Sequence, residues 1–290
     1  MYECVNFSKK NIEDLKELNS LRSQFNLENE DFIDYYLSCN FAKQVLLRCR
    51  VKLLKHEEKY IGYIWFETAL NEIIIKSMFS IEKEAEPYRV LISNIKAKGP
   101  VKYNCLNNEY NFNILEELGF IKNEGVIAMH LDNFQFNYKN HEEFLIENNL
   151  NFRVFRKGMD EELRCMVQNE VFQENGRIPV GVSDIYFEES QRFYFEKGSI
   201  FLFKGEECAG YAQIIIEKDM PYIVNVGILK KYQGLKYGKI LMEHMLQILR
   251  ECDYKVVGIR VKTSNYKALN LYKSLGFIEN NHMYNLQLKR

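Results

Sequence analysis

The sequence predicts a mixed α/β protein built as two tandem domains, each a mixed central sheet flanked by helices. Three observations predict it. The chain has 290 residues, about twice a common domain length. A pattern recurs along it: 108–121 reads NEYNFNILEELGFI and 265–278 reads NYKALNLYKSLGFI, a constant offset of 157 that matches Asn113 with Asn270, Leu118 with Leu275, Gly119 with Gly276, Phe120 with Phe277 and Ile121 with Ile278. Gly62-Tyr63 echoes Gly210-Tyr211 at an offset of 148. Finally, each half runs through strands and then a strand–helix–strand unit, which implies a mixed sheet with helices on both faces.

The elements follow from periodicity. In the first half Ile12, Leu15, Leu18, Leu21 and Phe25 mark an amphipathic helical stretch, followed by strand-like runs at 44–54, 60–66 and 73–79. A helix after Pro87 carries Val90, Leu91 and Ile95 on one face; a strand at 101–106, the repeat helix and a strand at 126–131 close the half. In the second half a short strand at 152–155 precedes helices near 161–172 and 184–196, then strands at 200–204, 208–217 and 222–228. A helix at 239–251 presents Leu241, Met245, Ile248 and Leu249 together, and strand 256–262, the repeat helix 266–275 and strand 283–288 end the chain. The polar, Asn-rich stretch 132–150 contains the expected connector, giving domains at 1–135 and 151–290 joined by 136–150.

Composition excludes several function classes. Apolar residues make up 47% and charged residues 27%, enough for each half to bury a core. Thirty-nine Lys and Arg against 40 Asp and Glu leave a formal charge of −1, unlike the basic surplus of a nucleic-acid binder. No apolar run approaches the length of a membrane span, and the N-terminus lacks a basic segment followed by an apolar one, so a cytoplasmic protein is expected. The seven cysteines are scattered without a C-x-x-C pair and read as reduced thiols; five dispersed histidines offer no metal site.

The chemistry is carried by 226–241, VGILKKYQGLKYGKIL. A buried strand ends at Ile228, a glycine-bearing turn comes next, and an amphipathic helix begins near Gly238. Such a turn offers backbone N–H groups and the positive end of a helix dipole to an anion. The run Y-Q-G-x-x-Y-G-x-x-L resembles the Gln/Arg-x-x-Gly-x-Gly/Ala pyrophosphate loop of the GCN5-related N-acetyltransferases (GNAT). Downstream, Asn265, Ala268, Leu271-Tyr272 and Leu275-Gly276-Phe277 resemble that family's N-x-x-A-x-x-L-Y-x-x-L-G-F pattern. The resemblance implies two GNAT-like domains, acetyl-CoA as co-substrate, and a site in which Gln233, Gly234, Leu235, Lys236, Tyr237, Gly238 and Lys239 hold the pyrophosphate. Ile228 would offer its N–H to the thioester carbonyl, Asn265 would contact the pantetheine arm or simply cap its helix, and Tyr272 would protonate the leaving thiolate. Lys236 departs from the family, standing where the first required glycine is usual.

Acetyl transfer asks for a fixed donor on the thioester carbonyl, an acid for the departing sulfur and an acceptor amine that has lost its proton. The strand 222–228 holds no carboxylate, so no base is assigned. The loop 173–183, with Arg177, is a candidate wall for the acceptor, and the basic residues Lys230, Lys231, Lys236 and Lys239 suit the phosphates of CoA. The first half is expected to have lost this chemistry, because Leu115 replaces Tyr272 at the repeat offset and no glycine lies between Gly62 and Gly99. The function implied is an N-acetyltransferase moving an acetyl group to a small-molecule or peptide primary amine, with no nucleic-acid or membrane partner. The alternative is a non-catalytic acyl-CoA-binding sensor or scaffold of the same fold; a further rival, a doubled aminoacyl-tRNA-dependent transferase, is disfavoured by the loop and by the balanced charge.

Overall fold

The computed structural model describes residues 1–69, 71–106, 108–134, 139–173 and 177–289. The chain forms two compact units, Met1–Val126 with Asn281–Arg290, and Ile127–Asn280. In the first unit β1 (Tyr2–Asn6) leads to α1 (Ile12–Ser20), α2 (Phe32–Ser38) and α3 (Phe41–Arg48). Then come β2 (Val51–His56), β3 (Lys59–Ala69), β4 (Glu72–Ser80), α4 (Ala85–Ser93), β5 (Val101–Leu106), α5 (Glu109–Glu117) and β6 (Ile121–Asp132). The run from 44 expected as strand is helical to Arg48: Asn40 caps α3 by accepting from the Lys43 N–H at 3.0 Å, and extended structure starts only at Val51.

The second unit continues with α6 (Lys139–Glu147), β7 (Leu150–Val154), α7 (Glu161–Val171), α8 (Val182–Glu189), β8 (Tyr194–Lys204), β9 (Glu207–Glu217), β10 (Met220–Ile228), α9 (Tyr237–Glu251), β11 (Val256–Lys262), α10 (Tyr266–Ser274) and β12 (Ile278–Leu288). Within the expected connector, 136–138 lie outside the described residues. The remainder is largely α6, whose Phe144 and Leu145 pack on the core of this unit. The expected helix 184–196 stops at Glu189, and β8 begins at Tyr194 with a register irregularity before Ser199.

The chain passes between units inside two strands. β6 belongs to the first unit up to Val126 and to the second from Ile127, while β12 returns to the first unit at Asn281. There its last residues pair antiparallel with β5, from Met283 opposite Leu106 to Leu288 opposite Val101. The sequence boundaries at 135 and 151 rest on a change of composition; the compact units instead divide within strands, where composition carries no mark.

The repeat is physical. Asn108 and Asn265 both cap their helices, accepting from the N–H of Asn111 and Ala268. Gly119 and Gly276 both end those helices with left-handed φ values of 87° and 91°. The echo at 148 is backbone crowding: a Cβ on Gly62 would lie 2.7 Å from the Phe79 carbonyl oxygen, and one on Gly210 would lie 2.6 Å from that of Gly227. Tyr63 and Tyr211, next in line, are both buried. Even the bond that ends the strand pair recurs, Ile81 N–H to Ile61 C=O at 2.8 Å and Leu229 N–H to Ala209 C=O at 2.9 Å.

Candidate active site

β10 and β11 pair in parallel only at Tyr222 with Gly258 and Ile223 with Ile259. Beyond that point β10 leaves its neighbour, and a cleft of about 710 Å³ opens in the gap. Its floor is Val226, Gly227 and Ile228, one end is the turn from Tyr232 into α9, and the far wall is Asn265, Lys267, Ala268, Leu271 and Tyr272 of α10. Val171 of α7 and Phe172, which follows it, also line the cleft. Hollows of similar volume occur in each unit, but among the described residues no glycine lines either of them.

Strand register decides what the floor presents. In an antiparallel pair, hydrogen-bonded and non-bonded residue pairs alternate. Leu229 donates to Ala209, so the pair Ile228–Gly210 is a non-bonded one, and the N–H and C=O of Ile228 face away from β9 toward the gap. The Ile228 carbonyl accepts a 3.0 Å bond from Gln233 Nε2, which ties the turn to the strand end. Val226, two residues earlier, lines the same floor.

The turn supplies the anion end. Gly234 has φ of 83° with open space where a Cβ would lie, and Lys236 has φ of 65° and ψ of 6° as the residue that starts α9. The Lys236 carbonyl accepts from the Lys239 and Ile240 N–H groups. The N–H groups of Tyr237 and Gly238, in the first turn, therefore have no intrahelical acceptor and point out of the helix end. A Cβ on Gly238 would meet Leu271 Cδ2 at 3.5 Å and Ile228 Cγ1 at 3.7 Å, so the position faces into the cleft. Lys236, Lys239 and Lys267 line the mouth, and no described lining residue is acidic. This donor set fits a pyrophosphate.

The lysine carries out the backbone duty of a glycine: it takes the left-handed conformation with its side chain exposed, so the loop closes around N–H groups while the ammonium lies outside.

Tyr272 is nine-tenths buried in the wall, 5.9 Å from the Phe277 ring, and burial alone pushes its phenol up to about 12. At neutral pH it keeps its proton and can donate it. The other assignments separate into side-chain and backbone roles. Tyr237 is a core residue that also lines the cleft, and its hydroxyl accepts from Lys204 at 3.2 Å. Leu235 is exposed and does not line the cleft. Asn265 lines it while capping α10 with a 3.2 Å bond from Ala268. Lys230 and Lys231 do not reach it; Lys231 pairs with Glu207 at 2.7 Å. In the loop 173–183, residues 174–176 lie outside the described residues, and Arg177 folds back to donate to the Phe172 carbonyl at 3.0 Å.

Sequence reasoning misses a buried polar cluster beside the cleft floor. Arg164 of α7, fully buried, donates through Nη2 to both carboxylate oxygens of Glu188, at 2.7 and 2.8 Å, and to Gln213 Oε1 at 2.9 Å. Gln213 Nε2 donates to Glu188, and Asn225 Nδ2 donates to Gln213 Oε1 at 3.2 Å. The available signal is a charged residue at a core position of an amphipathic helix.

The first unit is closed at the matching place. At the offset of 148 Ile228 corresponds to Ser80 and Lys236 to Tyr88, and the Tyr88 hydroxyl accepts the Ser80 N–H at 3.2 Å. Tyr88 is buried and stacks on Phe25 at 4.6 Å. The next helix, α4, opens with Glu84 and Glu86, which repel rather than attract an anion at its positive end.

Residues 163–277 match the family model "Acetyltransferase (GNAT) family". A protein of Bacillus subtilis named "Putative [ribosomal protein bS18]-alanine N-acetyltransferase" is 33% identical over 73 residues, 25% of this chain and 48% of the relative. The corresponding enzyme of Haemophilus influenzae is 26% identical over 110 residues, 38% of this chain and 72% of that protein. The chain thus spans about half the length of the first of these relatives. Among solved structures, a GCN5-related N-acetyltransferase from Sphaerobacter thermophilus is similar with a TM-score of 0.66 at 12% identity, over 99% of this chain and 95% of that one. A tandem GNAT protein from the clavulanic acid biosynthesis pathway gives 0.54 at 9% identity, over 99% and 98%. At these identities the structural likeness shows the fold of two GNAT-like domains.

Proposed function

We propose that the second half, whose residues 163–277 match the GNAT family model, transfers an acetyl group from acetyl-CoA to a primary amine. The observation that carries the reading is the alignment, in one cleft, of a left-handed turn, a helix N-terminus and the outward N–H group of a strand end, with a neutral phenol opposite. The Tyr237 and Gly238 N–H groups, with Lys236, Lys239 and Lys267 around them, hold the pyrophosphate. Val226 and Ile228, on the floor, lie along the pantetheine arm and the thioester. The Ile228 N–H polarises the carbonyl as the amine attacks, and Tyr272 gives its proton to the departing sulfur. The relatives' names point to an N-terminal amine: the B. subtilis and H. influenzae proteins are named for alanine of a ribosomal protein, and one of Sulfurisphaera tokodaii is named N-alpha-acetyltransferase. A peptide with a free N-terminal alanine is therefore the first acceptor to try, before small amines. The work is assigned to a cytoplasmic enzyme with one acetyl-CoA per chain.

The test is calorimetric titration of acetyl-CoA into wild type and Gly238→Glu, followed by chromatography of CoA released with an alanyl peptide and a panel of amines. Binding at one site, abolished by the variant, together with acceptor-dependent release, supports the enzyme. Binding without release by any acceptor would favour a sensor of the same fold, and no binding would end both readings.

A further inference from the structure

The floor of the cleft depends on an irregularity. Val224 stands opposite Gln213, but Gly227 stands opposite Tyr211, so Asn225 and Val226 face Ala212 alone. This is a β-bulge, and its extra residue changes the phase of everything after it. Without it, the pairing of Val224 with Gln213 would continue with one residue fewer, and the Ile228 N–H would turn into β9 rather than toward the gap. The bulge is made by Asn225 in the left-handed region, with φ of 53°, a conformation that asparagine tolerates better than most residues.

Two features hold that residue. Its side chain is tied to Gln213, itself fully buried and held by Arg164 and Glu188. Arg164 and Val171 lie two turns apart on the same face of α7, and Val171 seats on Gly227, where a Cβ would stand 2.1 Å from Val171 Cγ1. α7 thus presses on the bulge through Val171 and pins it through a chain of hydrogen bonds that starts at Arg164.

We infer that Arg164, Glu188 and Gln213 are positioning residues for acetyl transfer: they fix Asn225 and so keep the Ile228 N–H aimed at the site of the thioester carbonyl. The inference rests on the functional reading above and adds to it a part of the protein that touches no substrate. A misaimed oxyanion donor loses transition-state stabilisation and leaves ground-state binding almost untouched, because the N–H groups that face the pyrophosphate belong to the first turn of α9 and not to β10.

The experiment uses the full chain with Gln213→Met, which keeps volume and removes the link, and Asn225→Gly, which keeps the left-handed backbone and removes only the side chain. CoA release from acetyl-CoA should fall about 10- to 100-fold, while the acetyl-CoA Kd stays within about threefold of wild type. Hydrogen exchange should quicken in the segment 221–230 and remain unchanged in α9. A folded variant that releases CoA at the wild-type rate overturns the inference, as does one whose loss in rate is matched by its loss in affinity. Should Gln213→Met fail to fold, Asn225→Gly decides. Should wild type neither bind nor consume acetyl-CoA, the functional reading fails by itself, and the network is judged on exchange alone: unaltered exchange over 221–230 in the variants overturns it.

Discussion

Lys236 stands where the GNAT pattern usually has glycine, and its geometry sets a quantitative expectation. With φ of 65° and ψ of 6° it occupies a conformation that costs an L-residue about 1–2 kcal/mol. Replacing it by glycine removes that strain and adds about 0.5–1 kcal/mol of backbone entropy to the unfolded chain. Lys236→Gly should therefore stabilise the protein by about 0.5–1 kcal/mol, raising Tm by about 1–4 °C. The side chain is exposed at the mouth of the cleft, where a single ion pair contributes about 0.2–1 kcal/mol. Loss of the ammonium should then weaken acetyl-CoA by no more than about fivefold, and Lys236→Glu, which replaces attraction by repulsion, by up to about 30-fold. Both effects should shrink as salt rises from about 0.05 to about 0.5 M, since the charge acts through solvent.

Calorimetry at the two ionic strengths, with thermal melts of the free proteins, tests all of this. If Lys236→Gly instead brought binding from undetectable to micromolar, the lysine would be closing the loop rather than substituting for its glycine, and the argument from backbone geometry would be wrong.

Other outcomes are expected from the same structure. Tyr272→Phe should lower kcat by about 100-fold or more with little change in acetyl-CoA affinity or Tm; equal rates in the two proteins would remove the phenol from the mechanism. Stability should fall as the solution becomes alkaline. Tyr272 and Cys105 are pushed up to about 12 and Cys208 to about 11 by burial, so the folded state holds these protons more tightly than the unfolded chain. Their contribution is complete below pH ~9, the ordinary thiol range, and is lost as pH rises through about 12; a denaturant midpoint that rose between about pH 9 and 11 would contradict this sign. For the same reason Cys105 and Cys208 should resist a thiol reagent at about pH 8 while exposed Cys49 reacts at once, read by mass spectrometry of the labelled peptides.

Much of the second half is legible in the sequence because its signals are local. The turn 233–238 announces itself through Gln233, Gly234 and Gly238, and Tyr272 through its place before the Leu-Gly-Phe helix end. The end of an apolar strand marks Ile228, but the facing of its N–H emerges only once the partner strand is known. The bulge at Asn225 and the Arg164 cluster are not legible. One arises from pairing with a strand a dozen residues away, the other from four residues on separate elements. The return of β12 to the first unit is hidden for a related reason: an alternating strand reads alike whichever sheet accepts it. Helix α3 reads as strand because its apolar residues, Phe41, Val45, Leu46 and Leu47, include a β-branched residue and stand directly before a true strand.

The proposed reading gives an acyl carrier to one half only, and the two halves differ at the matching place. Ser80 and Ile228 end equivalent strands, each one residue before the same backbone bond to the neighbouring strand. At Ile228 the outward N–H faces an open gap; at Ser80 it is already bonded to Tyr88, which stands where the second half has Lys236. A flexible, exposed lysine leaves the gap free, while an aromatic ring buried against Phe25 fills it and satisfies its donor. The acidic start of α4 adds repulsion where the second half has three lysines. Tyr88→Ala would reopen space but leave Glu84 and Glu86 in place, so it should not create a second acetyl-CoA site; calorimetry on that variant should still give one site per chain. A count of two would mean that the plug alone, and not the charge at the helix end, silences the first half.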